Sequence, residues 1–416
     1  MNTLTTTAER SEERSGSMTD RWAKALFLRF MNHLDHGHLT VCDGQEVLNF
    51  GTDRDLSAHL TVLDQKFYSK VILGGSIGAG EAYIDRLWDT SDLVAVVRVI
   101  ARNMAVLDRL EKKFGWVFKP YRLLLHRRNR NNKLGARRNI ISHYDLGNDL
   151  YGSFLDSRMM YSSAIYPDKT SDLEQAAAHK LEIICRKLDL KADDNVIEIG
   201  SGWGGFAIYA AANYGCRVTT TTISEAQYQE AKRRIEEAGL SDKITLLQQD
   251  YRDLDGKFDK LVSIEMIEAV GHEYLPGYFA KCSNLLNKDG RMVIQAITIS
   301  DQNYDKYIKE VDFIQRHVFP GGCLVANKVM LDLIARKTDM VVRGLEDFGI
   351  DYAKTLNDWR IAFNEAFESL EIKGYDDRFR RLWNFYLAYC EGGFRERSIS
   401  LVHLVATKPE FRSEIN

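Results

Sequence analysis

A β-branched run carrying an acid, Val196-Ile-Glu-Ile199, breaks into Gly-Ser-Gly-Trp-Gly-Gly over residues 200–205 and then opens an apolar helix. A turn of this kind lets backbone N–H groups approach a ligand, because no Cβ stands in the way at Gly200 or Gly202. The chemistry it points to is cofactor binding. A phosphate-cradling P-loop would end in Gly-Lys-Ser/Thr, and no lysine stands here. Gly200, Gly202 and Gly205 satisfy the dinucleotide spacing, so the glycines alone leave NAD, FAD and S-adenosylmethionine open. Glu198, two residues before the first glycine, and the Gly-Trp-Gly-Gly tail favour the last.

Further chemical groups stand where later strands end. Thr220-Thr-Thr-Ile-Ser224 carries no carboxylate for ribose hydroxyls, which leaves Thr222 and Gln227 as the polar groups there. Gln249-Asp-Tyr-Arg252 offers Asp250 and an aromatic face, Tyr251, for a base to stack on. Ser263-Ile-Glu-Met-Ile-Glu-Ala-Val-Gly271 places Glu265 and Glu268 just after an apolar strand. Buried acids are costly unless paired or used, so at least one is read as functional, with Glu268 the stronger candidate.

The elements that must hold these groups alternate strand and helix. Strands are predicted at Asn195–Ile199, Arg217–Ile223, Ile244–Gln248, Leu261–Ile264 and Arg291–Ile297, with two late ones at 339–346 and 398–407. Helices are predicted at Leu173–Leu188, Ser224–Ala238 (Ser224 as N-cap) and Tyr274–Leu286. Alternation of this kind gives an α/β parallel sheet with helices on both faces and a ligand site beyond the strand C-termini. Seven strands in this order suit a Rossmann-like class I methyltransferase sheet, by analogy.

Ahead of it, residues 20–110 read as a smaller α+β domain, with helical patterns over Arg21–Leu34 and Asp92–Leu110. Residues 1–19 read as a disordered tail. Residues 111–138 crowd ten lysines and arginines among Phe114, Trp116, Phe118 and Tyr121, as a solvated linker or an anionic-surface contact would. Residues 139–410 then form the methyltransferase domain.

Composition adds bounds. The 416 residues carry a net charge of −3, so bulk charge points to no nucleic-acid or membrane partner. Six scattered cysteines without a C-x-x-C pair argue for reduced thiols in a cytoplasmic setting and against a structural zinc; no metal is expected. No apolar run approaches the roughly 20 residues that span a bilayer.

Several segments together resemble the cyclopropane fatty acid synthase family of S-adenosylmethionine-dependent lipid methyltransferases: His143-Tyr-Asp-Leu-Gly-Asn-Asp-Leu-Tyr151, Tyr161-Ser-Ser-Ala164, Glu198–Gly205, Thr222–Gln227, Gln249–Arg252, Phe348-Gly-Ile-Asp-Tyr352 and Tyr386-Leu-Ala-Tyr-Cys-Glu-Gly-Gly-Phe394. The likeness covers roughly residues 60–408. It implies that Tyr161, Ser162, Glu198, Gly200, Ser201, Gly202, Trp203, Gly204, Thr222, Ile223, Ser224, Gln227, Tyr251 and Arg252 contact S-adenosylmethionine. It also implies a bicarbonate used as general base, at positions matching the Ser163 backbone, Glu268, Gln295, Ile297 and Tyr352. Cys390 matches a cysteine once proposed as catalytic, but it lies in an apolar aromatic stretch with no His or Lys beside it, and inert packing is the expected role. The implied partner is a phospholipid acyl chain at an anionic membrane surface, reached from the cytoplasmic side without nucleic acid; a homodimer stays open.

The chain departs from the family pattern in two places. Glu268-Ala-Val-Gly stands where the family has Glu-His-Val-Gly, and Gln295-Ala-Ile where it has a His. A neutral amide cannot carry charge as an imidazole can, so bicarbonate is expected to bind weakly; the product implied is a cyclopropane or a methyl- or methylene-branched chain, with the sequence closer to the branched side of the family. Cation-stabilising rings are expected from Trp383, Phe385, Tyr386, Tyr389 and Phe394, and a core stripe from Trp359, Phe363 and Phe367. Two rivals are a nucleic-acid methyltransferase, whose Asn/Asp-Pro-Pro-Tyr/Phe motif is absent, and a non-catalytic lipid- or cofactor-binding protein, against which intact Glu268 and Tyr352 argue.

Overall fold

The computed structural model describes residues 16–107 and 147–412, and the chain divides into two compact units, residues 1–125 and 126–416. The expected tail through residue 15, the basic aromatic segment 111–138 and His143–Leu146 of the His-Tyr-Asp motif lie outside the described residues.

The first unit opens with α1 (Met18–Met31), three residues earlier than the apolar stripe suggests. The reason is local: Ser17 Oγ accepts from the Asp20 amide while the Asp20 carboxylate takes the Ser17 N–H, a reciprocal capping box. Strands β1 (His38–Asp43), β2 (Glu46–Phe50), β3 (Ser57–Val62) and β4 (Trp88–Asp89) form one sheet in the order β2-β1-β3-β4. Helix α2 (Lys66–Ile84) runs on through the glycine-rich stretch, broken only at Gly75 (φ 57°). Helix α3 (Leu93–Arg102) starts where Asp92 caps the Ala95 amide. Phe27 packs edge to face on Phe67 and Tyr68 in the core, and Trp88 lies tilted against Phe67.

The second unit carries a seven-stranded sheet: β5 (Asn195–Ile199), β6 (Arg217–Thr222), β7 (Ile244–Gln248), β8 (Phe258–Ile264), β9 (Leu286–Ile299), β10 (Val341–Asp347) and β11 (Ile399–Thr407), ordered β10-β11-β9-β8-β5-β6-β7. Strands β5 to β9 are mutually parallel, and β11 enters antiparallel between β9 and β10. Each expected strand is found, most within two residues of its predicted ends. The alternation of strand side chains separates two cores. Val196, Val218, Val262 and Val293 face α4 (Leu173–Leu188) and α5 (Gly205–Tyr214). Ile197, Leu261, Met292, Ile294 and Leu404 face the helices at Leu275–Leu285 and Asn327–Lys337.

Two further features position the site. Asp172 and Gln175 form a capping box that starts α4 where the sequence predicts. Two long helices, Gly349–Ile372 and Asp377–Arg395, pack on one another and bury Trp359, Phe363, Trp383 and Phe394. The insert after β9 holds short turns at Tyr304–Tyr307 and Phe313–His317.

Candidate active site

A cavity of about 490 Å³ opens beyond the C-terminal ends of β5, β6, β7 and β8, as the topology of a parallel sheet directs. Tyr161, Ser162, Glu198, Gly200, Ser201, Gly202, Trp203, Thr222, Ile223, Ser224, Gln227, Tyr251 and Arg252 line it. These are all the cofactor residues expected from sequence except Gly204, whose φ of 85° turns the chain into α5. The glycines serve different ends. The Gly200 and Ser201 amides are spent on the Thr221 carbonyl (3.2 and 2.8 Å), which ties the turn to β6 instead of offering those donors to a ligand. Gly202 (φ 49°) is the position that needs its missing side chain, since a Cβ there would meet no protein atom within 4 Å and would occupy ligand space.

The rim is held by polar contacts. Thr222 Oγ donates to Gln227 Oε1 (2.9 Å), and Ser224 caps its helix through the Gln227 amide. Arg252 grips Asp250 with two hydrogen bonds of 2.9 and 2.7 Å, and the Tyr251 ring packs edge-on against Tyr278. Trp203 is buried against Tyr151, its indole N–H donating to Asn148 Oδ1 (2.9 Å).

Deeper in, three acids and one lysine lie out of water. Thr220 Oγ donates to Glu198 Oε2 (2.6 Å), and burial pushes the Glu198 carboxyl up to about 8. Lys180 Nζ donates to Ser162 Oγ (2.7 Å); burial lowers its ammonium to about 8, against the pull of Glu265, Asp156 and Glu198. Periodicity along α4 puts Lys180 on the same face as Ala176, Ala177, Leu181 and Ile184. That cation on an apolar stripe was the signal for a site residue that motif reading missed.

Three of the four residues matched to bicarbonate beside Glu268 gather, but around a different acid, and the fourth, Ile297, stays with Glu268. Glu265 Oε1 accepts from the Ser163 amide (2.8 Å) and Gln295 Nε2 (2.7 Å), and Oε2 accepts from Tyr352 OH (2.7 Å). Glu268 stands aside: its Oε1 takes the Ile297 amide (2.6 Å), while buried Oε2 has no hydrogen-bond partner among the described residues. Burial raises both carboxyls, Glu268 to about 8, with the Glu265 charge adding to the effect. Glu265 lines the cavity and Glu268 does not.

The Gln295 amide is oriented from behind. His403 lies directly across from it in the β9–β11 pair, with His403 Nε2 2.8 Å from Gln295 Oε1 and Nδ1 3.1 Å from Lys187 Nζ. The lysine ammonium can only donate, so Nδ1 accepts and the ring proton sits on Nε2. Burial and the two nearby lysines hold the imidazole well below its usual range, and thus neutral. Cys390 is absent from the cavity wall, and burial pushes its thiol up, as expected of an inert thiol. Among the described residues no cluster could hold a metal ion.

None of the five rings expected to stabilise a cation, Trp383, Phe385, Tyr386, Tyr389 and Phe394, lines the cavity. Tyr161, expected as a cofactor contact, does line it, hydrogen-bonded through its hydroxyl to Tyr386 OH (2.9 Å), with Trp359 behind it at 5.4 Å between centroids. Tyr352 stacks on Phe394 at 4.5 Å. Phe385 and Tyr389 stack on each other beside Phe313, away from the cavity wall.

The family model for mycolic acid cyclopropane synthetase matches residues 131–404, about two thirds of the chain. The chain belongs to this family. It is 35% identical over 355 residues to cyclopropane-fatty-acyl-phospholipid synthase of Escherichia coli, covering 84% of this chain and 88% of that protein. It is 34% identical over 331 residues to tuberculostearic acid methyltransferase UfaA1 of Mycobacterium tuberculosis, covering 77% and 76%. The solved mycolic acid cyclopropane synthase CmaA1, in complex with SAH and CTAB, superposes with a TM-score of 0.61 at 25% identity, over 65% of this chain and 98% of that one. This cyclopropane synthase family member is thus an S-adenosylmethionine-dependent methyltransferase with the class I fold, as the sequence reading has it.

Proposed function

We propose that this enzyme methylates a cis double bond in an unsaturated acyl chain of a phospholipid lying in an anionic membrane surface. The observation that carries the reading is the sharing of one cavity by the glycine turn at 200–203 and a buried, hydrogen-bonded carboxylate, with an aromatic wall at Tyr161. Bound S-adenosylmethionine supplies an electrophilic methyl group on a sulfonium. The chain's residues supply the rest. Gly202 leaves room for the ligand, Tyr251 offers a ring face for its base, and Gln227 and Arg252 stand at the rim.

An isolated alkene is a weak nucleophile, so alignment and exclusion of water must do much of the work. Methylation leaves positive charge on the acyl chain. Ring faces stabilise such charge by about 0.5–2 kcal/mol each when well placed, and Tyr161 is the ring at hand. A carboxylate must then accept a proton from carbon.

Mass spectrometry of lipids from cells expressing the protein tests this reading. Phospholipids heavier by one CH₂ are expected; NMR or derivatisation then separates ring from branch. Unchanged lipids, alongside tight S-adenosylmethionine binding, would instead favour a non-catalytic binding protein.

Membrane contact is a second part of the proposal. No helix among the described residues is long and apolar enough to cross a membrane. The ten basic residues of 111–138 are the sequence feature that supports surface attachment. At about 1 kcal/mol per basic residue, neutralising Arg122, Arg127, Arg128 and Arg130 is expected to weaken binding to anionic vesicles several-hundredfold, as is high salt. Equal binding to neutral and anionic vesicles at every salt concentration would refute the electrostatic part.

A further inference from the structure

We propose that Glu265 is the general base of the reaction, built into the chain at the place where a diffusible anion would otherwise have to bind. The inference rests on the methyl-transfer reading above and adds the group that takes the proton. Its first support is the cage. Three donors from three separate parts of the unit, the Ser163 amide, Gln295 Nε2 and Tyr352 OH, converge on one carboxylate within 2.8 Å. A bicarbonate on the same donors would find them all occupied, and the Ile297 amide is taken by Glu268. The residues present therefore do not fit that anion.

The second support is backbone conformation. Glu265 has φ 48°, in the left-handed region, at a cost of roughly 1–2 kcal/mol for a residue with a Cβ. Its amide is anchored to the Gln295 carbonyl (2.9 Å), which fixes the reversal at the end of β8 and turns the side chain into the cage. Strain of this kind at a cavity wall is a mark of function.

The third support is the relay behind Gln295. Neutral His403, held by Lys187, donates to Gln295 Oε1 and so aims the amide N–H₂ at Glu265. Gln295, His403 and Lys187 are positioning residues in this scheme. Gln295 in place of a titratable group gives the carboxylate a neutral donor and adds no second cation to the pull of Lys180.

The oxygens are not equivalent. Oε1 accepts two hydrogen bonds and Oε2 only one, which leaves an acceptor site on Oε2. In the step proposed, the acyl π pair forms the new carbon–carbon bond with the methyl group, and the carbon–sulfur bond breaks with its pair left on sulfur. The resulting cationic chain loses a proton from carbon to Glu265 Oε2. The freed C–H pair closes a three-membered ring or forms a new double bond, and Glu265 passes its proton to water as the product leaves. Burial, which raises the Glu265 carboxyl, strengthens it as a proton acceptor.

The test uses the full chain with anionic vesicles of unsaturated phosphatidylglycerol in bicarbonate-depleted buffer, reading methylated lipid, with S-adenosylmethionine affinity by calorimetry. Wild-type turnover is expected to be indifferent to added bicarbonate. Glu265→Gly relieves the φ strain and opens the cage. It is expected to lose about 100-fold or more in turnover with cofactor affinity intact, and to regain at least about tenfold when bicarbonate or formate is added. Glu265→Gln, which keeps the shape but cannot take the proton, should lose as much and show no rescue. Failure of anions to rescue Glu265→Gly, near-normal turnover in Glu265→Gln, or strong stimulation of the wild type by bicarbonate would each overturn the proposal. A wild type that methylates no lipid would overturn the functional reading and this inference with it.

Discussion

Gly202→Val is expected to abolish S-adenosylmethionine binding while the catalytic unit stays folded. The glycine stands at φ 49° on the cavity wall, and a Cβ added there meets no protein atom within 4 Å. The substitution therefore creates no internal clash. Its structural cost is the left-handed backbone, on the order of 1–2 kcal/mol for a residue with a Cβ and somewhat more for a β-branched one. Its functional cost is much larger, because two methyl groups would stand where the ligand must lie against the turn. Calorimetry should detect no binding at concentrations that saturate the wild type, while circular dichroism stays native. An affinity within threefold of wild type would place the cofactor away from this turn. Gly200→Val is a poorer probe: a Cβ there comes within 3.0 Å of the Met266 side chain, and repacking would confuse the reading.

The sheet was legible because its strands are β-branched runs bounded by turn residues, and α4 because its apolar stripe and capping residues agree. The cofactor wall was legible because it follows the strand ends that a parallel sheet presents. What spacing could not show was which of two nearby acids enters the cage. Glu265 and Glu268 lie one turn apart in sequence, and the choice depends on a single residue with positive φ, a local reversal without a pattern of its own. His403 escaped notice because β11 is an internal strand buried on both faces, where one polar residue among Leu401, Val402, Leu404 and Val405 breaks no alternation. Helix α1 began early because Ser17 and Asp20 cap each other in a stretch whose composition alone reads as disordered.

Lys180→Met is expected to destabilise the catalytic unit by about 3–5 kcal/mol above pH 8, because removing one partner leaves buried carboxylates without a compensating charge. Met fills nearly the same volume, so a cavity does not explain the loss. The lysine is fully buried, donates to Ser162 and is drawn by Glu265, Asp156 and Glu198, which links the cofactor wall to the proposed base. The sign of the pH dependence follows from the acids. Burial holds Glu198 at about 8 and also raises Glu265, and losing the cation raises both further. A carboxyl whose folded pKa exceeds its unfolded value binds a proton that unfolding releases. Its contribution is fully present below about 4.5 and is lost as pH rises through the folded value. Below about 8 Glu198 is protonated in both folded proteins, so its effect on stability runs in parallel; above that value the wild type's Glu198 ionises and the variant's does not, so the variant's deficit should grow from pH 7 to pH 9. Urea midpoints at the two ends of that range provide the measurement. Equal midpoints at pH 9, or a deficit that does not change with pH, would show that Lys180 is not the charge that balances these acids.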